Sequence, residues 1–179
     1  MSSLVDVCAS EPAILSKSFS DLFNLMLKIS QHKNFSDENV REIGFEVTCS
    51  FVERKKKFFE KDKHKTRQFI EELFKYALEM DEEITEEWAV PKGDSYFDEE
   101  VISEEKVASS FSFLDRLLET YNSNYILPHI SEIVIKLLEN TSDYRYKYVA
   151  LTSISNMLDH VEEIKDVEKI IPVNNNLIT

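Results

Sequence analysis

Only two glycines, Gly44 and Gly93, occur in 179 residues. Average usage of about 7% would supply about a dozen. Glycine provides the positive-φ positions of tight hairpins and phosphate-binding loops. A chain nearly without it has little room for many hairpins, for a dinucleotide-binding turn or for a P-loop. What remains accessible is helix, and the apolar residues are spaced accordingly. Pro12, Pro91, Pro128 and Pro172 fall between periodic segments or in a first helical turn, where proline is tolerated.

Seven helical segments follow from the apolar spacing. The first covers about residues 2–10. The second, about 13–31, carries Leu15, Phe19, Leu22, Phe23, Met26 and Ile29 at helical intervals. The third starts at Ser36 as a candidate N-cap, with Asp37 and Glu38 in the first turn. Its stripe is Val40, Ile43, Gly44, Val47 and Phe51. A basic run, residues 54–67, separates it from a fourth segment at about 66–80, with Phe69/Ile70, Leu73/Phe74 and Ala77/Leu78. The fifth, about 104–121, carries Val107, Phe111, Leu114, Leu117, Leu118 and Tyr121. The sixth, about 125–139, carries Ile126, Ile130, Ile133, Val134, Leu137 and Leu138. The seventh, about 142–160, carries Tyr146, Val149, Ala150, Ile154, Met157 and, just past its end, Val161. Residues 172–179 are Asn-rich and read as a frayed tail.

Short connections make successive helices antiparallel neighbours. The fifth and seventh segments begin about 38 residues apart, close to the period of about 40–47 of HEAT and armadillo repeats. The third and fifth begin about 68 apart, one such period plus an insertion at 81–103. The expectation is an all-α, right-handed HEAT-repeat (ARM-like) solenoid of about three helical pairs in one domain, 1–179. Unfinished stripes at both ends, Leu4–Val5–Val7 and Val167–Ile170–Ile171, suggest partial repeats of a longer chain.

Charge points to the kind of partner. The net charge is −13, which argues against nucleic acid or an anionic membrane as the main partner. Twelve carboxylates lie between Glu79 and Glu105 against the single cation Lys92, a window of −11. Trp88, the only tryptophan, lies inside it with Tyr96 and Phe97. Without a partner such a loop is simply solvated. With its aromatics it suits a Lys/Arg-rich segment, held by charge and cation–π attraction. The opposite cluster, Arg54, Lys55, Lys56, Lys57, Lys61, Lys63, Lys65 and Arg67, resembles a localisation signal or nucleic-acid patch, but such a run is more often a solvated helix end and loop, with Phe58 and Phe59 packing to pin the turn. It could also lie against the acidic insertion.

Chemistry-bearing motifs are missing. His32, His64, His129 and His160 sit in separate segments, and there is no GxSxG, HExxH or glycine-rich phosphate loop. No CxxC or EF-hand spacing offers a metal site. Cys8 and Cys49 lie in apolar helical patterns and read as buried, reduced thiols of a reducing compartment. Residues 1–10 lack the basic region and apolar run of a secretory leader, and no apolar run approaches a membrane span. The expectation is a non-enzyme without cofactor or metal.

Three stretches resemble one family. NVREIGFEVTCSFVERKKKFF (39–59) is similar to the "IR…alEvl…lxE" repeat of importin-β proteins. ELFKYALEMDEEITEEWA (72–89) resembles their helix leading to an acidic stretch and a Trp-Ala. SFLDRLLETYNSNYILPHISEIVIKLLENTSDYRYKYVALTSISNML (112–158) resembles their block running from LDR through LP to DWKyRhAaL. Order and spacing agree over nearly the whole chain, and the nearest resemblance is to the importin β-3 (importin-5-like) branch of the karyopherin-β nuclear transport receptors. Ser123–Asn124 stand where the family has Gly-Gly. Tyr144, Arg145, Lys147 and Tyr148 replace its Trp, Lys, Arg and His, and its Gly-Glu before LDR is lost near Ser109–Ser110.

The resemblance implies a central segment of a long HEAT superhelix that shuttles between cytoplasm and nucleus through the nuclear pore. Its partners would be basic import signals of cargo and Ran-GTP on the concave face and acidic loop, and nucleoporin phenylalanine-glycine repeats on the convex face. The candidate binding residues are Glu82, Glu83, Glu86, Glu87, Trp88, Asp94, Asp98, Glu99, Glu100, Asp115 and Glu119. Glu42, Glu46, Glu53 and Asp159 would share the concave side. Asp115 and Arg116 of the LDR motif suit an ion pair between repeats as well as a ligand contact. A generic HEAT scaffold or adaptor is the alternative; the acidic insertion followed by LDR favours transport.

Overall fold

The computed structural model describes residues 18–34, 39–80, 105–140 and 142–160. Those residues form seven helices and no strand: α1 (Phe19–Gln31), α2 (Asn39–Arg54), α3 (Lys56–Lys61), α4 (Lys63–Ala77), α5 (Glu105–Thr120), α6 (Ser123–Glu139) and α7 (Tyr144–Asp159). The segment expected at 2–10, the Ser36 cap with Asp37 and Glu38, the insertion at 81–103 and the tail at 172–179 lie outside the described residues.

Three of the helix starts are set by side chains that satisfy orphan backbone donors. Asp62 accepts from the Lys65 amide at the head of α4, Asn122 from Asn124 at α6, and Asp143 from Arg145 at α7. These caps revise the boundaries read from apolar spacing. The fourth expected helix begins at Lys63 rather than near 66, and the sixth at Ser123 rather than 125. Pro128 therefore sits inside α6, past its first turn, not within that turn as expected. The basic run is not a loop either: residues 56–61 form the short helix α3.

The helices associate in pairs, α1 with α2, α4 with α5 and α6 with α7. The pairs then stack. The first members α1, α4 and α6 touch in that order, as do the second members α2, α5 and α7. Contacts between α2 and α5 climb together along both helices, from Glu42–Ser109 to Val52–Tyr121, so these two run parallel. A single core runs between the rows.

Helix α2 is buried on more than its expected stripe. Phe45, Thr48, Cys49 and Val52 are buried in addition to Gly44, Val47 and Phe51, because α1, α4 and α5 all pack on it. Gly44 is where α1 comes closest. A Cβ there would lie 2.7 Å from Ser30 Oγ, 3.0 Å from Met26 O and 3.1 Å from Ser30 N. Leu138, assigned to a core stripe by spacing, is instead partly exposed. Phe59 is fully buried, and Phe58 and Phe59 close on Phe19 at ring-centroid distances of 5.2 and 5.7 Å, which fixes α3 against α1. At the same corner Tyr121 Oη donates to Val52 O (2.7 Å) and Tyr125 Oη to Phe59 O (2.7 Å), satisfying carbonyls where α2 and α3 end.

Candidate interaction face

The row α2–α5–α7 carries Glu42, Glu46, Glu53, Asp115, Glu119 and Asp159, the carboxylates expected to meet a basic partner that lie among the described residues. The structure shows what they already hold. Arg116, in the C-terminal half of α5, reaches back to α2. Its Nε and Nη2 donate to the two oxygens of Glu53 (2.8 and 2.9 Å), and Nη1 donates to Glu46 Oε2 (2.7 Å). The paired bonds from Glu53, with those from Glu46, raise the Arg116 pKa further above its ordinary value against the opposing effect of burial. The guanidinium is therefore a fixed positive charge between two carboxylates.

Asp115, one residue earlier, points the other way. Its Oδ1 lies 2.5 Å from His160 Nε2 and accepts a longer bond from Asn156 Nδ2 (3.5 Å), both at the end of α7. The adjacent Asp-Arg couple thus ties the middle pair to the pair on each side. Glu42, near the start of α2, accepts from Ser109 Oγ of α5 (2.7 Å) and more distantly from Tyr76 Oη of α4 (3.4 Å). Cys49 is buried beneath this ladder with Sγ 3.9 Å from Phe113 O, and burial pushes its thiol pKa up, so it stays protonated. Glu119 and Asp159 are exposed on α5 and α7.

A second charged group sits at the root of the insertion. Arg41 is buried; its Nε donates to Ser30 O (2.9 Å), capping the end of α1, and its Nη1 and Nη2 donate to Glu79 (2.7 and 3.1 Å). Its guanidinium also stacks 4.7 Å from the Tyr76 ring. Lys33 pairs with the same Glu79 at 2.9 Å. Burial alone would raise the Glu79 carboxyl, but the bonds from Arg41 and Lys33 prevail and hold it below the ordinary carboxylate range. From the far side of the insertion Lys106 Nζ donates to Glu79 O (3.4 Å). The two ends of the acidic stretch are therefore pinned together.

Of the candidate binding residues, the structure describes Asp115 and Glu119. Glu82, Glu83, Glu86, Glu87, Trp88, Asp94, Asp98, Glu99 and Glu100 lie outside the described residues. The inter-pair role was open to sequence reading for Asp115 and Arg116, because an ion pair between repeats was one expectation for the LDR motif. Arg41 was missed: nothing in its spacing separates a buried arginine from a surface one. Among the described residues no group of three or more His, Cys, Asp or Glu side chains converges as a metal site, and no helix is long and apolar enough to cross a membrane. No protein-family model matches the chain, and no curated protein matches it in sequence.

Proposed function

We propose that the chain is a segment of a nuclear import receptor of the karyopherin-β type. In this reading it forms a right-handed HEAT-repeat solenoid, binds basic cargo signals and Ran-GTP, and has no catalytic role. The observation that carries the reading is the coincidence of stacked helical pairs with an LDR couple that links them. That couple lies directly downstream of a −11 window containing Trp88, Tyr96 and Phe97. Glu79 and Lys106, which flank that window in sequence, are joined by a hydrogen bond between the end of α4 and the start of α5. Its charge suits a Lys/Arg-rich partner, with the rings adding cation–π contact. Nucleoporin phenylalanine-glycine repeats would use the opposite row of helices.

A plain HEAT scaffold is the second reading. It is favoured by Glu42, Glu46, Glu53 and Asp115 being engaged within the chain. The experiment that separates the two is titration with Ran-GTP and with a Lys-rich cargo peptide at low and moderate salt. The protein and a variant lacking residues 81–103 are compared. The transport reading expects binding that weakens with salt, as screening shortens the Debye length to about 10 Å at 0.1 M, and that falls on deletion. Equal binding by both proteins at every salt concentration, or none by either, would favour the scaffold.

A further inference from the structure

We propose that the corner formed by the end of α2, by α3 and by the start of α4 is a docking surface for a short acidic protein segment bearing an apolar side chain. This goes beyond the transport reading, which assigns the chain a basic partner on other residues.

The corner is an island of opposite charge. Residues 54–67 hold eight lysines and arginines against Glu60 and Asp62, a net of +6 in a chain of −13. Three of the eight are spent on structure. Lys56 donates to Thr120 O (2.8 Å), Lys65 pairs with Asp62 and lies over the Phe23 ring, and Arg67 is held by Glu71 and Glu132. The other five, Arg54, Lys55, Lys57, Lys61 and Lys63, meet no carboxylate among the described residues, and all but Lys55 are exposed. A solvated helix end gains little from so many unpaired like charges, since they repel one another.

Phe58 makes the patch more than a charge run. It is 40% exposed although it lies in the middle of the cations. Its ring is nonetheless fixed in place, edge-on to Phe19 at 5.2 Å and to Phe59 at 5.4 Å. A rigid, partly bared aromatic flanked in sequence by long basic side chains offers an apolar contact at little entropic cost.

The size of the island selects the partner. Helix α3 has six residues and is about 9 Å long, close to the Debye length of about 8 Å at physiological salt. A short acidic segment seated there interacts with the cations and is screened from the rest of the molecule. A nucleic-acid strand or an anionic bilayer extends further and meets the surrounding negative surface, so each gains less. The island therefore favours a compact acidic peptide over either polyanion.

The test uses the full chain and a fluorescein-labelled synthetic peptide of aspartates and glutamates flanking two leucines, read by fluorescence anisotropy. The expected result is saturable binding that weakens as salt rises. K57E/K61E/K63E should lose roughly tenfold or more in affinity, since three attractive charges become repulsive. Among the described residues none of these side chains makes a hydrogen bond or ion pair, and unchanged helical circular dichroism confirms that the variant is folded. F58A should weaken binding a few-fold while leaving its salt dependence intact. Equal affinity for wild type and triple variant would overturn the proposal, as would no binding at all. So would tighter binding of a poly-dT strand or of phosphatidylserine vesicles than of the peptide.

Discussion

Replacing Gly44 by alanine sets two effects of opposite sign against each other, and the geometry decides which wins. In the interior of a helix alanine is favoured over glycine by about 1 kcal/mol, so a position with open space would be stabilised. At Gly44 the new methyl meets three atoms of α1 at 2.7–3.1 Å. Ser30 Oγ, the nearest, belongs to a fully buried side chain that donates to Met26 O (3.0 Å). Rotating it away breaks that bond and strands a buried hydroxyl, at about 1–3 kcal/mol. The other two atoms, Met26 O and Ser30 N, are backbone, so relief requires α1 to move off α2. Ser30 O is also the acceptor for Arg41 Nε, and a shift of α1 strains that bond. Overpacking of this kind costs about 1–3 kcal/mol. After the propensity gain, the net expectation is destabilisation of about 1–5 kcal/mol.

The assay is urea unfolding followed by circular dichroism at the helical band, with the m-value checked for constancy. The midpoint of G44A should fall. The double variant S30A/G44A removes the nearest atom and should recover part of the loss, giving a favourable coupling of about 1 kcal/mol in a double-mutant cycle. Full recovery is not expected, because both backbone contacts remain. A G44A protein as stable as wild type or more so would refute the close approach of α1 and α2.

Arg116→Ala should destabilise by about 1–3 kcal/mol by leaving Glu46 and Glu53 facing each other without a cation; Arg116→Lys should restore little, since an ammonium cannot reproduce the paired bonds to Glu53, and a cycle with Glu53→Ala measures the coupling. The Glu79 carboxyl is depressed in the folded state, so its contribution is present above its ordinary pKa of 4.5 and is lost as pH falls through the lower folded value. Urea midpoints should therefore fall on acidification below that range, and E79Q should show a shallower fall from a lower plateau; an identical pH profile would sever Glu79 from the effect.

How much of this was legible in the sequence depends on what each residue answers to. Helical stripes are set by the 3.6-residue repeat, and the expected core of α5 is buried residue for residue at Val107, Phe111, Leu114, Leu117 and Leu118. The extra burial on α2 was not legible, because it depends on how many neighbours a helix has rather than on its own pattern. Helix α3 was hidden for a related reason. Its six residues, KKFFEK, are too few for a periodic signal, and it persists through the aromatic contacts of Phe58 and Phe59 with α1. Pro128 was placed by the apolar stripe, which starts later than the cap at Asn122. Arg41 shows the limit for charged groups: its burial follows from three acceptors and a ring on different segments, Ser30, Glu79 and Tyr76, which only the fold brings together.

The Asp115–Arg116 couple has a geometric logic that does not require a ligand. Successive residues on an α-helix point about 100° apart, so neighbours in sequence face different neighbours in space. A helix in the middle of a row has one flank toward the preceding pair and one toward the next. Adjacent positions can serve both flanks, and opposite charges at those positions let each find its complement without competing for it. Arg116 meets carboxylates that α2 presents, Glu46 and Glu53, and Asp115 meets His160 and Asn156 of α7. The first connection is a multiply bonded ion pair. The second is a contact of His160 Nε2 with Asp115 Oδ1, supported by the longer bond from Asn156 Nδ2. The two junctions of one helix thus differ in kind. The α2–α5 junction, with three charged hydrogen bonds to two carboxylates, is the more strongly bonded; the α5–α7 junction rests on one carboxylate oxygen shared by His160 and Asn156.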